Sequence, residues 1–259
     1  MNTKPRFELA ALPPQENPAD WEPYSHLALR YSTKLCNLTG LEDLSQEMIE
    51  VYWGLHNLAV TKDLVAASQR PAMNSLDFHT HTGRLASRLI HIVQNDGLDS
   101  RNNKNAEIFR LFGNAALAHI IIFLRDIPLQ HPFSELLSRR ILNSLQTIDL
   151  ARFQLQYPEM MLWILVMGGF GAIGTENQWW FAKQIAVMCQ EIGIVRTTEI
   201  AFFLVEFFWT DLYLYPVYTE FWDDVALAVQ GGQNNVVRVV DEMDIASSES
   251  PPELHGDAY

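Results

Sequence analysis

From Trp21 to Gly232 the apolar residues return every three or four positions, stretch after stretch, with almost no one-by-one alternation. Such spacing lays a stripe along one side of an α-helix, whereas a half-buried strand needs a period of two. Leu44, Met48, Val51, Leu55, Leu58 and Val60 trace the first stripe, and Thr39 and Glu42 ahead of it have capping-box spacing. Leu76–Val93 carries a second stripe, with Gly97 beyond its end, and Ala106–Asp126 predicts a long apolar helix that stops before Pro128. His131–Pro132 opens the next, with Phe133, Leu136, Leu137, Ile141 and Leu145 on its buried face. Pro158 begins a helix through Leu162, Trp163, Leu165 and Val166. Thr175 and Gln178 form a capping pair before Trp179–Ile192, which Gly193 closes as a Schellman stop. Thr197 or Thr198 caps Ile200–Trp209, and a last helix runs around Val217–Val229. The expected fold is all-α: a helical bundle or paired-helix array of about eight to nine helices.

Punctuation and charge divide the chain into three parts. Residues 1–20 form a proline-rich lead-in, since Pro5, Pro13, Pro14 and Pro18 oppose helix. Residues 21–232 read as a single helical domain, and 48% apolar composition is enough to fill its core. Residues 233–259 read as an acidic, disordered tail without Lys or Arg after Arg238, in which Met243, Ile245, Leu254 and Tyr259 give a weak acidic–hydrophobic pattern. A net charge of −13 opposes direct binding to a phosphate backbone, and Arg139–Arg140 is the only adjacent basic pair. Cys36 and Cys189 are too few for a disulfide framework or a zinc site, and read as reduced cysteines of an intracellular protein, nuclear or cytoplasmic. The apolar run Met160–Ile173 is too short to span a bilayer, and Ile200–Tyr218 contains Glu206 and Asp211, so no membrane contact is expected.

Several short patterns touch on chemistry. Gly169-Phe-Gly171-Ala-Ile-Gly174 matches GxGxxG, but a dinucleotide site needs a parallel sheet that these helical stripes do not supply. The glycines read instead as close helix contacts or a helix end. His79 and His81 lie two apart, a spacing that points them to different sides of a helix, so they read as ordinary polar or packed histidines. Asp223–Asp224 lacks the third acid that a magnesium–diphosphate site needs. No catalytic, metal or cofactor residues are assigned. The one candidate site is a ligand pocket lined by Trp163, Trp179, Trp180, Phe181, Phe208, Trp209 and Trp222, although aromatics at helical spacing also make plain core.

The order Leu162-Trp163, Gly168-Gly169, Trp180-Phe181, Ile192-Gly193-Ile194, Phe207-Phe208-Trp209 and Trp222 resembles the closing region of the fungal-specific transcription factor domain. Ala115–Leu145, an apolar helix broken at Ile127–Pro128 and followed by an amphipathic one, is similar to that family's preceding helix pair. The likeness covers about Ala106–Val225. Gln178 stands where an arginine is usual, and the six-cysteine cluster that carries the family's DNA contacts is not in this sequence. The resemblance implies a regulatory or interaction protein that acts through a small effector or through a protein partner, including a dimer with a family member. An alternative expectation is a repurposed helical scaffold, an enzyme or ligand-binding protein of a fungal metabolic pathway.

Overall fold

The computed structural model describes residues 42–66, 75–93, 104–129 and 131–231. The lead-in 1–20, Cys36, the Thr39 cap, Gly97 and the tail 233–259 lie outside these residues. Among the described residues there are nine α-helices and no strand, as the sequence period predicts. They are α1 (Glu42–Ala66), α2 (Ser75–Val93), α3 (Lys104–His119), α4 (Pro132–Leu145) and α5 (Leu150–Gln156). Then follow α6 (Pro158–Gly171), α7 (Gln178–Glu191), α8 (Thr197–Val205) and α9 (219–231).

Helix α6 is the hub. Every residue from Met160 to Gly171 is buried, so it presents no polar side, and it packs on α3, α4, α5, α7 and α8. Helix α3 runs beside it and also touches α1, α2 and α4. The stretch Ala106–Leu124 is long and apolar enough to cross a membrane by length and composition, yet 89% of it is buried inside the protein. Of the two runs weighed in the sequence, Met160–Ile173 falls largely in α6, and Ile200–Tyr218 leaves the helix after Val205.

The helix ends show which local signals work. His131 caps α4 through Nδ1, which accepts from the Phe133 amide at 3.2 Å, with Pro132 in the first turn where its missing N–H costs nothing. Gly193 sits at φ 75°, and the Schellman bonds are both present: Ile194 N to Cys189 O at 2.8 Å and Gly193 N to Gln190 O at 3.3 Å. Helix α5 is absent from the sequence reading, although Asp149 caps it by accepting from the Arg152 amide at 3.1 Å.

Two expected caps differ. The Thr175–Gln178 pair closes the preceding turn rather than a capping box: Thr175 Oγ1 donates to Ala172 O at 2.8 Å, and Gln178 Oε1 accepts from the Gly174 amide at 2.8 Å. Helix α8 starts at Thr197, and Glu199 accepts from the Val195 and Arg196 amides at 2.9 and 3.3 Å. Neither threonine caps it.

Two departures from ideal helix shape the interior. The last turn of α3 widens into a π turn over Ile120–Leu124, all of it buried. After α8 the chain becomes a strap, residues 206–218, with 3-10 turns at Asp211–Leu214 and Pro216–Tyr218. Phe207 and Phe208 therefore leave the helix predicted for Ile200–Trp209 and turn into the core, where both are fully buried.

Candidate functional site

The strap is held on one side by α1. Tyr52 Oη donates to the Phe207 carbonyl at 2.6 Å, and His56 Nε2 meets the same oxygen at 2.9 Å. Two α-turns beyond His56, Asp63 Oδ1 accepts from Thr210 Oγ1 at 2.7 Å. Because a carbonyl only accepts, the His56 proton is on Nε2. Beside Asp63, Lys62 donates to the Phe123 carbonyl and to Asp126 Oδ1, closing the end of the π turn against α1.

Behind the strap lies a packed cluster of rings, a ring chamber that the rings themselves fill. Phe208 sits between two imidazoles, with centroids 4.5 Å from His56 and 4.8 Å from His119. His119 is the last residue before the π turn and stacks on Phe123 at 5.3 Å. Trp163 faces Phe207 at 5.3 Å and Phe208 at 5.5 Å, while Phe170 meets Phe123 at 5.2 Å. Offset and edge-to-face pairs of this kind each stabilise by about 0.5–1.5 kcal/mol beyond the area they bury.

A polar relay crosses the chamber. Trp163 Nε1 donates to the Tyr213 hydroxyl at 3.0 Å, and that hydroxyl lies 3.1 Å from His119 Nδ1 and 3.9 Å from Met167 Sδ. The Tyr213 hydroxyl donates to the Met167 sulfur and pairs with His119 Nδ1, the direction of that second bond being set by the imidazole tautomer. His119 Nε2 is the ring nitrogen left over. That atom is buried and has no hydrogen-bond partner among the described residues. The wider strap is tied in by Trp222 Nε1, which donates to the Tyr213 carbonyl at 2.9 Å.

Burial governs the electrostatics. Desolvation holds His119 down at about 3, with His56 and Lys62 adding to the effect, and holds His56 down at about 4 against the pull of the Phe207 carbonyl. Desolvation also raises the Asp63 carboxyl, opposed by the Thr210 hydrogen bond, and lifts the Tyr213 hydroxyl far above its ordinary range. Both histidines are neutral near pH 7. The ring cluster therefore holds two imidazoles without burying a charge.

The seven aromatic residues picked out in the sequence scatter around this centre. Trp163 and Phe208 are in the chamber wall. Trp209 and Trp222 are half-buried and reach it through Tyr213, Trp209 edge-on at 5.3 Å. Phe181 lies on another face of α6 with the half-buried Trp180 against it, ring centroids 5.1 Å apart. Trp179 is exposed, with Lys183 Nζ 5.5 Å over its ring. His56, His119, Tyr52 and Tyr213 were missed. His119 alone left a trace: a polar residue inside the apolar run Ala115–Leu124.

The remaining motifs have structural uses. A Cβ on Gly168 would stand 2.3 Å from Phe181 Cε1, and one on Gly169 2.1 Å from Phe221 Cζ, so these glycines admit two buried rings against the α6 backbone. Ser138 Oγ donates to the Gly168 carbonyl at 2.7 Å from the α4 side. The residues before GxGxxG are helical, as the stripe from Pro158 predicts. Asp224 accepts from Gln178 Nε2 at 2.7 Å, which joins α9 to the start of α7. His79 lies exposed on α2, and among the described residues no three of His, Cys, Asp or Glu are grouped to hold a metal ion.

Compared with family models, curated proteins and solved structures, the chain matches none.

Proposed function

We propose that this chain is a regulatory and interaction protein of the kind its resemblance implies, similar to a fungal-specific transcription factor domain and without DNA-contacting residues of its own. It works through a small effector held in the His119 chamber, or through a protein partner, in the nucleus or the cytoplasm. One observation carries the reading: a fully buried imidazole whose Nε2 has no hydrogen-bond partner among the described residues, set among aromatic rings that include Trp163 and Phe208. A stranded buried polar group costs about 1–3 kcal/mol, a cost that a ligand relieves on binding. Support for a protein partner is the outward side of α8, where Phe202 is 79% exposed and Val205 follows it on the same face.

The test is native mass spectrometry of the full chain purified from its own host, alongside recovery of partners from nuclear extract. A bound small molecule that departs on unfolding, or stable capture with a zinc-cluster transcription factor, is the expected result. Ligand-free protein that recovers only cytosolic metabolic enzymes overturns the regulatory reading. That outcome would move the weight to the second reading, an enzyme, which the Trp163–Tyr213–His119 relay favours because it links a hydroxyl and an imidazole that can pass a proton.

A further inference from the structure

We propose that the outer edge of the strap, Leu214 to Val217 with the carboxylates beside it, is a docking surface for a basic polypeptide segment in which Lys or Arg flanks apolar side chains. The inference rests on the partner reading above and names the partner's chemistry.

The strap's own geometry makes the surface. Leu214, Tyr215, Pro216 and Val217 are all exposed, whereas Leu212 and Tyr213 just before them are buried. Single apolar residues scattered over a surface are ordinary, but four in succession ask for a cover. Side chains three apart eclipse in a 3-10 turn, so Asp211 stands beside Leu214. The second turn, Pro216–Tyr218, runs straight into α9, and the same spacing sets Glu220 beside Val217. Leu214 and Val217 thus each have an exposed carboxylate as neighbour. A third comes from the end of the π turn. Burial raises the Tyr218 hydroxyl, and Asp126 and Tyr215 add to the shift, which places both near that ring. The Asp126 side chain is 76% exposed.

Charge says what covers this surface. Residues 197–231 hold six carboxylates and no Lys, Arg or His. Of the cations at the end of the π turn, Lys62 is engaged by Asp126 and the Phe123 carbonyl. Arg125 turns the other way, its guanidinium 3.5 Å from where a Cβ on Gly83 of α2 would stand. A phosphate backbone or an anionic membrane is repelled by such a rim, and so is a segment as acidic as residues 239–259. A basic segment with apolar side chains meets its complement twice, at Leu214 and Val217 and at Asp211 and Glu220. An arginine has a further seat over the exposed Tyr215 ring.

The experiment follows binding to the full chain by fluorescence anisotropy, with the labelled peptide RLWRRLLRWL and its counterpart carrying Glu for every Arg. The expected result is at least about tenfold tighter binding of the arginine peptide, weakening as salt rises. Leu214→Ser with Glu220→Lys lowers that affinity at least about tenfold, the worth of one buried leucine. The control, Leu155→Ser with Glu191→Lys, removes the same apolar and charged groups at the other end of α7 from its Gln178–Asp224 bond. It keeps the affinity within about threefold of the parent. Equal binding of the two peptides, binding of neither, or an equal loss in the control and the strap variant each overturns the proposal. A photo-crosslinker in place of Val217 captures the arginine peptide. Capture instead of a second copy, or of residues 1–41 of the same chain, overturns it by naming another occupant. Should the strap variant fail to fold, the crosslink and the peptide contrast in the parent chain decide. A protein from nuclear extract that the strap variant still retains overturns this inference while the partner reading stands. An extract that yields no protein partner sinks that broader reading, and the peptide measurements decide this one alone.

Discussion

Replacing Tyr213 by Phe keeps the ring and removes one oxygen, so the cost measures the relay and little else. Two groups lose their partner, Trp163 Nε1–H and His119 Nδ1, and both side chains are 0% exposed, so water does not replace the hydroxyl. At about 1–3 kcal/mol for each stranded buried group, Tyr213→Phe destabilises the protein by roughly 2–6 kcal/mol. Against the usual total of about 5–15 kcal/mol this is a large fraction. Urea unfolding followed by tryptophan fluorescence measures it, with the Trp163 indole proton expected to exchange faster in the variant. Adding His119→Phe removes one of the two stranded groups, so the double variant recovers about 1–3 kcal/mol of the loss. A Tyr213→Phe cost below about 0.5 kcal/mol, with no recovery in the double variant, refutes the relay.

Acid unfolding gives a second check. The folded values of His56 and His119, about 4 and about 3, lie below the ordinary histidine value of 6.5, so the unfolded chain binds more protons between them. Stability is therefore fully present above pH 6.5 and falls as the pH drops towards 3, by up to about 1.4 kcal/mol per pH unit for each proton. Asp63, raised by burial, slopes the other way, so a chain carrying His56→Phe that still shows the full two-histidine slope contradicts this account. Gly169→Ala places a methyl on the fully buried Phe221 ring and costs about 1–3 kcal/mol in thermal unfolding, whereas unchanged stability means the ring is not seated there. The buried Cys189 thiol is pushed up to about 12 by desolvation, with Glu199 adding to it. It reacts with a disulfide reagent at pH 8 only after unfolding, and prompt modification in native protein refutes its burial.

The fold was legible because a helical stripe is a local signal. The spacing of Met48, Val51 and Leu55 decides that segment with no reference to the rest of the chain. The caps at His131 and Gly193 are equally local. The site is not. Phe207 and Phe208 continue the apolar pattern of α8, and they leave the helix for contacts with α1, more than 140 residues earlier in the chain. Likewise His119 was visible as a polar residue in an apolar run, but its partner Tyr213 stands 94 residues away. Trp179 and Trp180 are neighbours in sequence, and only the phase of α7 against α6 sends one to solvent and half-buries the other.

The fastening of the strap to α1 also sets an order of assembly. Tyr52, His56 and Asp63 find their partners across 155, 151 and 147 residues. At about 5–20 residues per second, a ribosome needs roughly 8–30 s to make the chain between them. During that interval α1 can pair with α2, but the side that receives Phe207 has nothing to cover it. The chamber closes last, after long-range contacts whose loop entropy slows folding. A nascent chain halted before Phe207 would present that uncovered side to chaperones.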